Sequence, residues 1–194
     1  MPKTLLSTVA VTLTFIAFFP YIRAILKHET KPHVFSWVIW GSTTFIVFLA
    51  QIEDGGGVGA WPMGISGLIT LYVAFLALMK KADTRITRTD WVFFLSAMGA
   101  LPLWYFTSAP LWSVLTLTLV DLLGFGPTIR KAYSHPFDEN LLFFSLFAIR
   151  NAVAIAALEH YSLTTVTFPA VIAIACVALV FMTAVRRKIL PKPT

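Results

Sequence analysis

Two ionisable residues, Asp121 and Arg150, lie within long apolar stretches of this 194-residue chain. A single charge at the centre of a membrane-spanning helix costs about 2.5–3.5 kcal/mol on insertion scales. Chains keep such residues where they pair with each other, bind a polar solute or relay a proton. Asp121 and Arg150 are therefore the first candidates for a functional site. The structural alternative is an ion pair that only holds two helices together.

The two charges lie at similar depths in their predicted helices. At the rise of an α-helix, Asp121 is roughly 15 Å from one end of a helix over Leu111–Tyr133. Arg150 is roughly 12 Å from the corresponding end of a helix over Leu141–Leu158. Because consecutive helices are usually neighbours, the sequence predicts that these residues pair directly or share a bound solute. Whether Asp121 carries a proton stays open.

An internal repeat places polar residues at the same two levels in both halves of the chain. At an offset of 107 residues, the two charges and Asn151 correspond to three threonines: Asp121 to Thr14, Arg150 to Thr43 and Asn151 to Thr44. A membrane protein built from two similar halves commonly binds its substrate between them. A central cavity with one neutral and one charged wall would suit a small polar or zwitterionic solute.

Trp40 extends this candidate site. Ser36, Trp40 and Thr43 have i, i+4, i+7 spacing and therefore share one face of a helix. Trp40 could form a wall against which a ring or sugar face packs, and the alternative is a tryptophan that only packs helices together. The predicted substrate-binding residues are therefore Asp121, Arg150, Asn151, Trp40, Thr14, Thr43 and Thr44.

The composition indicates an integral membrane protein. Hydrophobic residues make up 58% of the chain and charged residues 12%, with a mean hydropathy of +0.80, whereas a soluble domain carries about 25% charged residues. A helix needs about 20 apolar residues to cross a bilayer, and unpaired backbone groups cannot face lipid. The fold class is thus an all-α membrane protein. Its seven predicted helices are Leu5–Leu26, Val34–Ile52, Val58–Met79, Trp91–Phe106, Leu111–Tyr133, Leu141–Leu158 and Thr164–Val185.

The basic residues predict how these helices are oriented. Thirteen of the 15 lie at one set of helix ends: Arg23, Lys27, Lys31, Lys80, Lys81, Arg85, Arg88, Arg130, Lys131, Arg186, Arg187, Lys188 and Lys192. Only Lys3 lies at the other set, and Arg150 is inside a helix. Because positive loops stay cytoplasmic, the N-terminus is expected outside and the C-terminus inside. The net charge of +6 therefore reflects membrane topology, and no nucleic-acid partner is expected.

A single linker helix between two three-helix units returns the chain to the first side of the membrane. Both units therefore insert in the same orientation. The predicted organisation is a first unit over residues 1–81, a linker helix over 82–108 and a second unit over 109–194. This arrangement is a 3-1-3 parallel repeat, related by an axis along the membrane normal. The fourth helix is the shortest of the seven and contains Pro102, yet the charge pattern requires it.

The repeat is strongest in one motif. Phe18-Phe19-Pro20-Tyr21-Ile22-Arg23 returns as Phe125-Gly126-Pro127-Thr128-Ile129-Arg130, and Pro62 returns as Pro169. With its 3-1-3 arrangement, the chain resembles the SWEET and PQ-loop superfamily, whose marker is a Pro-Gln pair near the cytoplasmic end of the first helix of each unit. Here the pairs are Pro20-Tyr21 and Pro127-Thr128, so both glutamines are missing.

The resemblance implies that Pro20 and Pro127 act as hinges for alternating access to a central site. Proline inside a helix removes one hydrogen bond and kinks the helix, so paired kinks at one depth could open an inner mouth. The alternative is a pair of static kinks.

The sequence predicts a small secondary transporter or facilitator for a small polar solute. The alternative is a non-transporting receptor or sorting protein on the same scaffold, because fold alone does not decide function. An enzyme is not expected, since no paired nucleophile and base is evident, and neither are metal ions or cofactors. Expected partners are membrane lipid, the solute and, as an option, further copies of the chain. The expected location is the plasma (inner) membrane.

Overall fold

The computed structural model describes residues 2–28, 34–80, 88–134, 136–138 and 141–190. Over these residues the chain is all-helical, as predicted, with seven α-helices and two short 3₁₀ helices. The α-helices are α1 (Lys3–Leu26), α2 (Val34–Glu53), α3 (Trp61–Met79), α4 (Arg88–Thr107), α5 (Pro110–Ser134), α6 (Leu141–Ala157) and α7 (Leu163–Ile189). Lys31, Lys81, Arg85 and Lys192, which enter the charge count, lie outside the described residues.

Each predicted apolar segment forms a helix, with two differences of detail. The third segment is divided: Gly57–Ala60 is a 3₁₀ helix and α3 begins at Trp61. Pro62 occupies the first turn of α3, where a missing backbone N–H removes no helical hydrogen bond. The fourth segment is longer than predicted, because α4 begins at Arg88 and continues through Pro102.

Four stretches are long and apolar enough to cross a membrane, which marks the chain as a membrane protein. They are Lys3–Leu26, Val34–Glu53, Gly57–Met79 and Leu163–Ile189. Among the described residues, the apolar stretches Pro110–Phe125 in α5 and Leu141–Ala157, which is the whole of α6, are shorter. With 17 residues, α6 is about 26 Å long, a little less than the roughly 30 Å of a bilayer core. Seven membrane spans remain a prediction.

The helices pack in one pattern that occurs twice. α3 packs against both α1 and α2, and α7 packs against both α5 and α6. Contacts between these two sets come chiefly from α1 with α6 and from α2 with α5, and α2 also touches α7. α4 packs on α5 and α2. α1 begins at Lys3 and α5 at Pro110, so these two helix starts differ by the 107 residues of the sequence repeat.

The two ends of the bundle differ in how they are held together. At one end, here called the Lys3 end, the Lys3 side chain donates a hydrogen bond to the carbonyl of Ala156 at 2.8 Å, which joins the start of α1 to the last turn of α6. At the opposite end, here called the Leu26 end, Lys80 Nζ lies 3.4 Å from His28 Nε2, which joins the ends of α1 and α3. The Lys3 end is the one that the charge pattern predicts to be outside.

Gly59 allows the closest backbone approach at the Lys3 end, and its replacement should be costly. A Cβ at Gly59 would lie 2.4 Å from Cα of Leu158. Backbone atoms cannot swing aside as a side chain can, so Gly59→Ala should destabilise the fold by about 2–3 kcal/mol. Thermal unfolding of the purified protein in detergent measures this.

The matched control is Gly99→Ala in α4, where an added Cβ meets nothing within 4 Å. Alanine is the better helix former, so this variant should be neutral or stabilised by about 0.5–1 kcal/mol. Equal losses of stability in both variants would contradict the close approach at Gly59.

Candidate functional site

Asp121 forms a buried hydrogen bond between α5 and α2. Its carboxylate Oδ1 lies 2.8 Å from the hydroxyl oxygen of Thr43, and the residue is only 8% exposed. The single hydroxyl hydrogen of Thr43 serves either this carboxylate or the carbonyl of Trp40, which is 2.9 Å away. Within the described chain, no cationic side chain bonds to Asp121.

Arg150 on α6 is surrounded by neutral acceptors. Its Nε donates to the hydroxyl of Thr14 at 3.1 Å, its Nη1 donates to Oδ1 of Asn151 at 2.8 Å, and its Nη2 donates to the carbonyl of Pro62. The thioether sulfur of Met63 lies 3.7 Å from Nη1. Arg150 is 2% exposed. The guanidinium is thus satisfied as a donor, but among the described residues its charge has no anionic partner.

The predicted direct pair between Asp121 and Arg150 is wrong. Consecutive helices are usually neighbours, but in the described part of the chain α5 and α6 do not pack closely on each other, and α7 packs against both of them. Asp121 therefore reaches α2, and Arg150 reaches α1 and the start of α3. The pair cannot act as a simple lock between two helices in this structure.

The two hydrogen bonds that form instead are equivalent under the repeat. The Thr14–Arg150 bond joins α1 to α6, and the Thr43–Asp121 bond joins α2 to α5. Replacing each residue by its counterpart 107 positions away converts one bond into the other. We call these four residues the polar layer. It lies where the two sets of helices meet, and each of its bonds has one residue in either set.

Asn151 and Thr44, the residues that follow Arg150 and Thr43 in the sequence, have different roles. Asn151 is fully buried, accepts from Arg150 and donates from its amide to the carbonyl of Phe147 at 2.9 Å. It therefore fixes the direction of the guanidinium. Thr44, its counterpart in the repeat, is also buried but bonds to neither charged residue.

An aromatic layer adjoins the polar layer on the side of the Leu26 end. Phe18 lies one helical turn beyond Thr14 on α1 and packs edge-to-face on Trp37, with ring centroids 6.3 Å apart. The counterparts of this pair, Phe125 and Phe144, have centroids 6.5 Å apart. The repeat thus extends to side-chain packing. The aromatic layer consists of Phe18, Trp37, Trp40, Phe125, Phe144 and Phe147.

Trp40 lies within this layer, one turn from Thr43. It is half-buried and packs on Trp37 at 5.8 Å, and its indole nitrogen faces Gly124 of α5, where an added Cβ would lie 2.9 Å away. Glycine at that position allows the ring to lie against the helix backbone. Its role as the wall of a binding pocket stays a prediction.

Both predicted hinge prolines lie inside continuous helices. α1 runs past Pro20 to Leu26, and α5 runs past Pro127 to Ser134. Each proline follows the aromatic layer, on the side away from the polar residues. The hinge role of the two prolines stays a prediction.

Sequence reasoning missed three contributors near the site. The Pro62 carbonyl and Met63 contact Arg150, and the only signal for them was the match of Pro62 to Pro169. Gln51 is 1% exposed, donates to the carbonyl of Thr165 at 2.6 Å, and has an Oε1 without a partner in the described structure. A lone amide inside an apolar segment was the signal that could have identified Gln51.

No protein-family model, curated protein or solved structure matches the chain. The structure defines a helical membrane protein with a polar layer buried between two sets of helices.

Proposed function

We propose that this chain is a small secondary transporter or facilitator that moves a small polar solute by alternating access. The polar layer carries the proposal. It holds a carboxyl group and a guanidinium, each buried beside neutral groups, at the boundary between two similar sets of helices. Unpaired charges in a membrane helix are expensive and are characteristic of substrate and ion pathways.

The packing pattern supports a 3-1-3 parallel repeat. In each set the third helix lies against the other two, and the two sets meet through equivalent helices. α4 contacts α5 and α2, as expected for a linker between units inserted in the same sense. We further propose seven membrane spans in the plasma (inner) membrane, with the Lys3 end outside, and a place for the chain as a divergent member of the SWEET and PQ-loop superfamily.

The polar layer offers a simple way to couple solute to motion. Each of its two bonds has a threonine in one unit and a charged residue in the other. Any rocking of one unit against the other therefore lengthens or remakes both bonds together. A solute with both donor and acceptor groups can replace the two threonine hydroxyls, so that the charges keep polar partners while the units move.

The test is an uptake screen. The protein is reconstituted into vesicles and challenged with radiolabelled sugars, amino acids and vitamins. We expect at least one class to accumulate or exchange. Asp121→Asn, which keeps the hydrogen bond to Thr43 but removes the charge, should lower that flux at least tenfold, a change of ~1.4 kcal/mol in a rate barrier.

The matched control is Glu53→Gln, which neutralises an exposed carboxylate at the end of α2. It should transport at the wild-type rate. Vesicles that bind a solute but never accumulate or release it would support the alternative, a receptor or sorting protein. Wild-type flux in a well-folded Asp121→Asn variant would remove Asp121 from the pathway.

A further inference from the structure

We propose that a hydrogen-bonded network at the Lys3 end is the closure that blocks the route from that end to the polar layer. This Lys3-end network consists of Asp54, Gly56, Glu159, His160 and Ser162. It joins the connection after α2 to the connection between α6 and α7, and so joins the two proposed units. The inference rests on the proposed function, because a closure matters only if a solute must reach the polar layer.

The network combines backbone and side-chain bonds. The backbone N–H of Glu159 donates to the carbonyl of Gly56 at 3.2 Å, and Glu159 Oε1 accepts from the N–H of Val58 at 3.4 Å. His160 Nδ1 lies 2.9 Å from the carbonyl of Asp54, and the Ser162 hydroxyl donates to the Asp54 carboxylate. Two chain connections distant in sequence are thus held edge to edge.

Glycines make this contact as close as two backbones allow. Gly55 and Gly57 have φ of 73° and 59°, in the left-handed region that other residues rarely adopt. A Cβ at Gly57 would overlap the Glu159 carboxylate, and one at Gly59 would overlap the backbone of Leu158. Side chains at these positions would hold the two connections apart. The turn sequence therefore favours a closed surface at the Lys3 end.

Further polar bonds join the two proposed units at the Lys3 end. The Lys3 side chain, in the first unit, donates to the carbonyl of Ala156 at 2.8 Å and to the hydroxyl of Tyr161 at 3.0 Å, both in the second unit. In this conformation the Lys3 end is therefore held shut.

Gln51 connects this network to the interior. Its Nε2 donates to the carbonyl of Thr165, and Thr165 forms a capping box with Ser162 at the start of α7. Gln51 lies two turns along α2 from Thr43, on the same face of the helix. Opening the network would release Ser162 and with it the turn that holds Gln51. Along the chain, Gln51 lies between Thr43 of the polar layer and Asp54 of the network, and its Oε1 has no partner in the described structure.

The single cysteine of the chain reports on this closure. Cys176 is 2% exposed and belongs to the buried cluster that contains Met63, whose sulfur contacts Arg150, so it is buried close to the polar layer. The experiment is labelling of Cys176 by a membrane-impermeant thiol reagent, applied to intact cells and separately to inside-out vesicles. The double variant Asp54→Ala/Ser162→Ala should be labelled roughly tenfold faster than wild type from the Lys3 side, the change expected when one hydrogen bond to a carboxylate is lost. Labelling from the opposite side should not increase.

The labelling experiment has two control variants. Cys176→Ser should show no labelling, and Glu53→Ala, which removes the exposed carboxylate next to Asp54, should label like wild type. Each variant is first shown to elute as a single species in detergent. Equal labelling rates for wild type and the folded double variant would overturn the closure, as would a rise of equal size from both sides.

A second variant tests the opposite direction. Asp54→Cys/Ser162→Cys, made with Cys176→Ser, should form a disulfide that holds the two connections together. Once a transported solute is found, flux should be lost in the oxidised protein and return with reductant, and an oxidised protein that still transports would also overturn the closure. If no solute is transported by the wild type, the proposed function fails, while the labelling experiment still decides whether the Lys3 end opens.

Discussion

Arg150→Gln is expected to reduce solute flux to background while leaving the fold at least as stable as wild type. The wild-type guanidinium is buried with only neutral acceptors around it. A buried charge without a counter-charge destabilises a protein, so a neutral side chain of similar reach should hold or raise the unfolding temperature. Lower activity with equal or higher stability is the signature of a residue kept for function. Uptake into vesicles and thermal unfolding in detergent measure the two quantities on the same preparation.

The matched control is Arg23→Gln, which makes the same substitution at an exposed arginine in the last turn of α1. It should leave both flux and stability unchanged. Collapse of the Arg150→Gln protein would instead assign Arg150 a structural role, as the residue that holds Thr14, Pro62 and Asn151 together. Wild-type flux in a stable variant would remove Arg150 from the transport pathway.

Thr14→Asp should stabilise the protein and stop transport. The Thr14 hydroxyl lies 3.1 Å from Nε of Arg150, so a carboxylate at this position can pair with the guanidinium. The new ion pair would connect α1 to α6 and hold the two units in the present conformation. A partner for this unpaired buried charge should raise the free energy of unfolding by ~2 kcal/mol. For a chain of this size, that corresponds to an unfolding temperature about 5 °C higher. Flux should fall at least tenfold.

The repeat supplies the control with the opposite sign. Thr43→Asp places the same new carboxylate at the equivalent bond, where it meets Asp121 instead of Arg150. Two carboxyl groups in one buried site repel, so this variant should unfold at a lower temperature than wild type. Thr14→Asn, which is neutral and of similar size, should change stability little. Equal effects of Thr14→Asp and Thr43→Asp on the unfolding temperature would contradict this arrangement of the polar layer, in which Thr14 faces Arg150 and Thr43 faces Asp121.

Much of the fold could be predicted because it depends on local patterns, namely the apolar segments and the 107-residue repeat. The seven apolar segments form seven helices, and the starts of α1 and α5 follow the 107-residue offset. The same offset matches Thr14 with Asp121 and Thr43 with Arg150. Both levels of polar residues are therefore readable from the sequence alone.

The contacts themselves were not predictable from those patterns. Whether Asp121 meets Arg150 depends on which helices are neighbours, and that depends on where α7 packs. Hydropathy indicates that a segment is buried but does not indicate its partner. The Lys3-end network was missed for a related reason. Several of its hydrogen bonds are accepted by the backbone carbonyls of Gly56 and Asp54. Every residue type has a backbone carbonyl, so the sequence does not indicate which carbonyl accepts a bond.

A symmetric dimer made only of the second unit would bring Asp121 of each copy against Arg150 of the other. This follows because Thr14, the counterpart of Asp121, faces Arg150 in the present chain. Such a dimer would contain two buried ion pairs, and these pairs would hold the two copies in one fixed arrangement. The present chain avoids that outcome, because its first unit has threonine at both positions. Asp121 and Arg150 therefore each lie beside a neutral hydroxyl instead of beside each other.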